Sequence, residues 1–170
     1  MKFEIINGNI IKADVDAIVN AANNQLLYGD GLCGAIFEAA GFDALQEECE
    51  LYEYCETGKA IITHGYDLKA KHIIHAVGPI YFNSNNPSEE LKSAYLSSLK
   101  LADENTLKTI AFPCISTGYF GYPLKEACEI ALKTIMEYNP SSLEKCYLYC
   151  YTIDEYLMYD KLLQEYQCPK

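Results

Sequence analysis

Short apolar runs rich in β-branched and aromatic residues alternate with longer stretches of helical periodicity along the whole chain, and this alternation constrains the fold more than any other feature. Strands are expected over 3–7, 17–21, 60–63, 72–77, 109–113 and 145–151, and helices over 34–40, 42–53, 88–105, 123–138 and 153–166. Pro87-Ser88-Glu89-Glu90 offers a cap and an acidic first turn, and Pro123 suits a first helical turn, where its missing N–H costs nothing. Strands joined through amphipathic helices run mostly parallel, with helices covering both faces of the sheet. The expected architecture is an α/β fold, a three-layer α/β/α sandwich with a mixed, largely parallel central sheet. A chain of 170 residues suffices for one well-buried domain and is short for two, so one domain over 1–170 is expected. The segment 81–87, Y-F-N-S-N-N-P, is the most loop-like stretch.

Charge narrows the function. Acidic residues number 24 against 13 basic ones, a net charge of −11 and the wrong sign for a surface that neutralises nucleic-acid phosphates. Every basic residue is lysine; arginine, the side chain best suited to two-pronged phosphate capture, is absent. A phosphate bound by this chain is therefore expected to meet backbone N–H groups. No apolar run approaches the length that crosses a bilayer, and M-K-F-E-I-I lacks the apolar region of a secretory signal, so a cytoplasmic protein is expected, with no membrane partner. Eight cysteines are scattered with no C-x-x-C among them, which favours reduced thiols over disulfides or a zinc site. Cys114, Cys146 and Cys150 read as small buried apolar side chains. No metal or cofactor is called for, and nothing demands more than a monomer.

Ligands of open α/β sheets bind beyond the carboxyl ends of the strands. Two glycine-bearing turns follow expected strands: A-I-V-N-A-A-N-N-Q-L-L-Y-G-D-G-L-C-G-A-I, which runs into a helix, and I-A-F-P-C-I-S-T-G-Y-F-G-Y-P. Turns of this kind leave N–H donors unpaired, the first adds a helix dipole, and together they can clasp a diphosphate without a cation. Either turn alone reads as readily as a plain strand-to-helix connection. Neither is a Walker-type loop, because G-x-x-x-x-G-K-[ST] is absent, and G-D-G-L-C-G lacks both the spacing and the first-strand position of G-x-G-x-x-G. A nucleotide hydrolase of the Walker type and a nicotinamide dehydrogenase are thus unsupported.

Four segments in order, G-N-I-I-K-A-D-V-D-A-I-V-N-A-A-N, G-D-G-L-C-G-A-I, T-G-K-A-I-I-T-H-G-Y-D-L-K-A-K-H-I-I-H-A-V-G-P and I-A-F-P-C-I-S-T-G-Y-F-G-Y-P, span nearly the whole chain. In these segments the chain resembles a macrodomain, the ADP-ribose-binding fold, and is most similar to the MacroD-type branch. That branch removes ADP-ribose from modified acidic side chains and deacetylates O-acetyl-ADP-ribose. The resemblance implies ADP-ribose or its esters, and a mono-ADP-ribosylated protein, as partners. Asn9 and the Ile10 amide would meet the adenine, Tyr151 would stack on it, and Asn23 would bind the distal ribose. The backbone of Gly29, Gly31, Leu32, Cys33 and Gly34, and of Ser116, Thr117, Gly118, Tyr119 and Gly121, would hold the diphosphate, with Phe120 closing over the distal ribose.

Two departures from the family pattern bear on chemistry. Where the branch writes G-G-G-V-D-G-A-I, this chain has G-D-G-L-C-G-A-I, so the active-site aspartate falls on Cys33 and the middle glycine has become Asp30. Family members also commonly carry G-D-I where this chain has Gly8-Asn9-Ile10, which removes the charge from the adenine contact while leaving a carbonyl able to accept. Catalytic candidates are accordingly Asn23, Asp30 and Cys33, acting on or around a positioned water. A reader module that binds without hydrolysis and a phosphatase for ADP-ribose 1″-phosphate are the alternatives that the resemblance leaves open. His75, inside H-I-I-H-A-V-G-P, reads as a packed structural residue.

Overall fold

The computed structural model of the protein describes residues 1–168. Six strands, β1 Lys2–Asn7, β2 Ala17–Ala21, β3 Ala60–His64, β4 His72–Ala76, β5 Thr109–Phe112 and β6 Lys145–Cys150, form one sheet in the order β1-β6-β5-β2-β4-β3. All neighbours are parallel except β3, which pairs antiparallel with β4 at one edge. The helices are α1 Leu32–Ala40, α2 Phe42–Glu50, α3 Pro87–Glu104, α4 Leu124–Glu137 and α5 Ile153–Gln167.

Alternate residues of a strand point to opposite faces, and here they feed two separate cores. Ala17 and Val19 of β2, with Ile74, Phe112 and Leu148, pack against Leu91, Tyr95 and Leu99 of α3, Cys128 and Leu132 of α4 and Tyr159 of α5. Ile18, between them in sequence, joins Ile73 and Ala111 under Ile36 and Phe37 of α1 and Leu45 of α2. The central strands are apolar on both faces because both faces are covered, as a parallel sheet requires. Helices α3, α4 and α5 thus form one outer layer and α1 with α2 the other.

Several helix ends differ from expectation: α1 starts at Leu32, two residues before the expected 34, and α3, α4 and α5 each end one residue away from the expected position. Helix α3 starts at Pro87 with Asn86 as its cap, so Ser88 lies inside the first turn, and α4 starts at Leu124 with Pro123 as the capping residue. Helix α2 stops at Glu50. Beyond it the chain must turn back: Glu53 adopts a left-handed conformation, and Cys55 exchanges hydrogen bonds with Asn24, its N–H reaching the Asn24 carbonyl oxygen at 2.8 Å and its own carbonyl accepting from Asn24 Nδ2 at 2.9 Å. The loop-like segment 81–87 contains a short 3-10 turn at Tyr81–Asn83, tethered by a hydrogen bond from Tyr81 N–H to the Phe120 carbonyl oxygen at 2.9 Å.

Candidate functional site

Strands β1, β6, β5 and β2 are consecutive and parallel, so their carboxyl ends lie side by side. A cleft runs across those ends in two compartments, of about 470 Å³ and about 340 Å³. Gly31, Leu32, Cys114 and Gly118 line both, so the two compartments meet between the two glycine turns. The larger one lies over β1 and β6 and is bordered by Asn9, Ile10, Tyr149, Tyr151 and Glu155. The smaller one lies over β2 and β5 and is bordered by Asn23, Gly29, Asp30, Cys33, Tyr119 and Phe120. No lysine lines either compartment.

Donors at the junction come from the backbone. Helix α1 begins just past Gly31, whose φ of 61° and ψ of −132° are open to glycine and strained for other residues, and which supplies no side-chain cap. The N–H groups of the first turn therefore have no partner within the helix and keep their share of the helix dipole for an anion. Across the junction, among the described residues, no backbone carbonyl accepts from the N–H groups of Ser116, Gly118, Tyr119 or Phe120. Ser116 holds a left-handed φ of 65°, unusual for a residue with a β-carbon, and its buried hydroxyl has no partner. A β-carbon added at Gly31 or Gly118 would meet no protein atom within 4 Å, so both positions open onto the cleft.

Asn9 does more than the sequence reading assigned to it. Its Oδ1 accepts the Ile11 N–H at 3.1 Å and caps the 3-10 turn Ile10–Lys12. The carbonyl expected to receive an adenine amino group is thus partly committed, and the amide NH₂ occupies the other half of the side chain. Glu155, absent from the sequence-based site, borders the same compartment. Its Oε2 accepts from the N–H groups of Tyr151 at 2.9 Å and Thr152 at 3.0 Å, closing a capping box with the Thr152 hydroxyl. The T-x-x-E spacing at the start of the last helix is the signal that could have found it. Tyr151 is 82% exposed just past the end of β6, leaving its ring free to stack.

In the smaller compartment Asn23 is locked, its Oδ1 accepting the Leu27 N–H at 3.1 Å and its Nδ2 donating to the Leu27 carbonyl oxygen at 2.8 Å. It both shapes the turn and forms the wall. Asp30 is an exposed carboxylate on that wall. Cys33 behaves differently: it is 7% exposed, donates to the Leu27 carbonyl oxygen at 3.5 Å and accepts from Asn20 Nδ2 at 3.7 Å. Burial pushes its thiol pKa up, against the pull of the Asn20 and Gly29 hydrogen bonds, so it stays neutral. Asn20 Nδ2 also reaches His75 Nδ1 at 3.1 Å, and His75 Nε2 lies 3.0 Å from Thr63 Oγ1. His75 is fully buried, and burial lowers its pKa to about 4, which makes it the neutral structural residue expected.

Several assignments are redistributed by the geometry. Gly34, in the first turn of α1, lines neither compartment; it is buried, and a β-carbon there would run into the Gly29 carbonyl oxygen, so its lack of a side chain serves close packing of the helix against the loop. Gly121 also lies off the lining, with its open side 3.6 Å from the Phe82 ring. Thr117 borders the larger compartment, and its hydroxyl donates to the Cys114 carbonyl oxygen at 3.0 Å. Cys114 is only half-buried and forms part of the floor at the junction, unlike the buried Cys146 and Cys150. Among the described residues, no group of three or more His, Cys, Asp or Glu side chains could hold a metal ion.

A three-layer sandwich whose cleft sets two lobes on either side of a cation-free cradle of N–H groups belongs to the class of α/β proteins that recognise phosphate through the backbone. The chain is a member of the Macro domain family, whose pattern it matches over residues 19–131. It is 55% identical over 146 residues to ADP-ribose glycohydrolase MACROD1 of Rattus norvegicus, covering 85% of this chain and 56% of that protein. It is also 46% identical over 170 residues to macro domain-containing protein TTE0995 of Caldanaerobacter subterraneus subsp. tengcongensis, covering 96% and 97% of the two chains. The chain therefore spans little more than half of the rat protein and nearly all of the bacterial one. A mutant Oceanobacillus iheyensis macrodomain with ADPR superposes with a TM-score of 0.91 at 37% identity, covering 96% of this chain and 92% of that one. The Trypanosoma brucei macrodomain in complex with ADP-ribose gives 0.84 at 39% identity, covering 94% and 68%.

Proposed function

We propose that the protein binds ADP-ribose in this cleft and hydrolyses mono-ADP-ribosyl esters on acidic protein side chains, O-acetyl-ADP-ribose, or both. One observation carries the reading: two compartments sized for the ends of a dinucleotide-like ligand meet where free backbone N–H groups gather and lysine is absent. The relatives named ADP-ribose glycohydrolase and the neighbours solved with ADPR or ADP-ribose support the same ligand. In this reading the base lies in the larger compartment against Tyr151, beside Asn9, the Ile10 N–H and Glu155. The amides of the first turn of α1 and of the loop from Ser116 to Phe120 hold the diphosphate. The distal ribose sits by Asn23 under Phe120.

Ester cleavage needs a water held against the anomeric carbon or the acyl carbon, and stabilisation of the charge that leaves. The buried, neutral Cys33 thiol is turned into the protein and offers neither. Asp30 is the carboxylate on the distal wall, and we assign it the placement of the attacking water, with the diphosphate and the loop amides completing the cage. We infer further that this macrodomain works as a monomer in the cytoplasm. The burial of Cys33 also favours a second reading, a module that reads ADP-ribose without cleaving it. Incubation with a target mono-ADP-ribosylated on glutamate separates the two: release of free ADP-ribose is expected, and tight binding with no release selects the reader.

A further inference from the structure

Tyr119 and Phe82 are 95% and 85% exposed, the largest exposures among the large apolar side chains described. Aromatic rings standing in water are informative when they cluster, because each offers a large area for burial against a partner. These two come from segments that are tied together. Tyr81 N–H bonds the Phe120 carbonyl oxygen at 2.9 Å, the Tyr81 ring packs edge-on against Phe82 at 5.1 Å and against Tyr122 at 4.8 Å, and Phe82 faces Gly121. Tyr119 and Phe120 border the distal compartment, so the rim continues directly from the cleft.

The same two segments carry no charge. From Ile73 to Ser88, and again from Thr109 to Leu124, there is no Asp, Glu, Lys or Arg, in a chain whose charged fraction is 22%. Around Phe82 stand Asn83, Asn85 and Asn86, exposed neutral side chains that donate and accept hydrogen bonds, while the Ser84 hydroxyl is already bonded to the Glu90 carboxylate and the Asn86 N–H. Exposed aromatics at the centre, depleted charge and a polar amide border are the composition of a protein-binding patch. A nucleic acid would call for lysine beside the aromatics, and its charge would be opposed by the net −11 of the chain.

We propose that the Phe82–Tyr119 rim is the docking surface for the polypeptide that carries the ADP-ribosyl group. This rests on the reading of the cleft given above: with the distal ribose beside Asn23 and Phe120, whatever is esterified to it leaves the cleft past Tyr119 and reaches Phe82. The modified chain then lays apolar side chains flanking the attachment point on the two rings, while the Asn side chains bond its backbone. The rim gives the protein a preference for modified polypeptide over free ADP-ribose that the cleft alone does not provide.

The test uses calorimetry on the full chain with two probes. One is free ADP-ribose, and the other is a synthetic peptide bearing ADP-ribose through a non-hydrolysable linkage, with an apolar residue on each side. The wild type is expected to bind the peptide about tenfold tighter, the scale of one aromatic anchor. Phe82→Ser, at a position outside the cleft lining, should erase that preference with free ADP-ribose affinity unchanged, and Phe82→Tyr should keep it. Equal affinity of the wild type for both probes, or a preference that survives Phe82→Ser, overturns the proposal. So does an ADP-ribosylated oligonucleotide that gains the same Phe82-dependent advantage. Failure to bind free ADP-ribose at all would instead sink the underlying reading of the cleft.

Discussion

The Cys33 thiol donates its hydrogen bond inward, to the Leu27 carbonyl oxygen at 3.5 Å. A side chain in the first turn of a helix beside a ligand cleft would ordinarily be a candidate for thiolate chemistry, because the helix dipole favours the anion. Here desolvation dominates and keeps the proton on sulfur. In the proposed mechanism the chemistry of the loop falls to Asp30, three residues earlier and exposed on the distal wall.

Exchange of the two side chains' properties tests that division. Asp30→Asn should lower kcat for ester hydrolysis by about a hundredfold, the low end of a lost general acid or base, with ADP-ribose affinity held. Cys33→Ala should leave kcat within about threefold, since a neutral thiol bonded into the protein moves no proton in the reaction. Cys33→Asp, which puts a carboxylate at the helix start, should raise kcat. A hundredfold loss in Cys33→Ala with unchanged affinity would mean that the thiol takes part.

Gly118→Val should abolish ADP-ribose binding while leaving the melting temperature close to that of the wild type. A β-carbon there meets no protein atom within 4 Å, so the added side chain enters ligand space rather than protein space. Gly31→Val should also abolish binding and melt earlier, because at a φ of 61° a branched side chain is strained as well. Wild-type affinity in Gly118→Val, read by calorimetry, would remove the diphosphate from the junction.

The base end carries a third expectation. Asn9 Oδ1 and Glu155 Oε2 are occupied by backbone N–H groups, which leaves the other Glu155 oxygen as the charged acceptor for the base in the proposed binding mode. Glu155→Gln should weaken ADP-ribose more than its hypoxanthine analogue, which has an oxygen in place of the amino group. Loss of the helix cap alone would weaken both equally, so the ratio of the two dissociation constants is the readout. An unchanged ratio would assign the amino group to another acceptor.

Stability should fall in mild acid on account of His75. Its folded pKa is lowered to about 4 from 6.5, so the unfolded chain takes up the proton first. The contribution is present in full above pH 6.5 and is lost as pH falls toward 4, a span on the order of 3 kcal/mol. The carboxylates of Asp16 and Asp103, held low by hydrogen bonds that outweigh desolvation, resist acid until below that window. Denaturant midpoints at pH 7.5 and pH 4.5 should therefore differ less in His75→Gln than in the wild type. An equal drop in both would place the acid sensitivity elsewhere.

Strand positions were legible because the apolar runs are short, rich in β-branched or aromatic residues and separated by longer helical patterns, and the order of the two glycine turns placed the cleft. Less legible were features set by tertiary position. Cys114 looks like any small apolar residue in I-A-F-P-C-I, and only the departure of the chain from the sheet after Phe112 turns it toward the junction. Glu155 was signalled by T-x-x-E, but its place on the wall of the larger compartment depends on where α5 starts relative to the end of β1. Gly34 and Gly121 share the loops of Gly31 and Gly118 yet face protein, which glycine spacing alone does not reveal. The inward turn of the Cys33 thiol depended on the Leu27 carbonyl and on Asn20, a strand residue whose side chain reaches the loop from below.

A structure of the protein with ADP-ribose tests the central claim most directly. The expected result has the diphosphate oxygens on the N–H groups of the first turn of α1 and of the loop from Ser116 to Phe120, with a water between Asp30 and the anomeric carbon. A diphosphate held by lysine, or an Asp30 carboxylate turned away from the distal ribose into solvent, would contradict it.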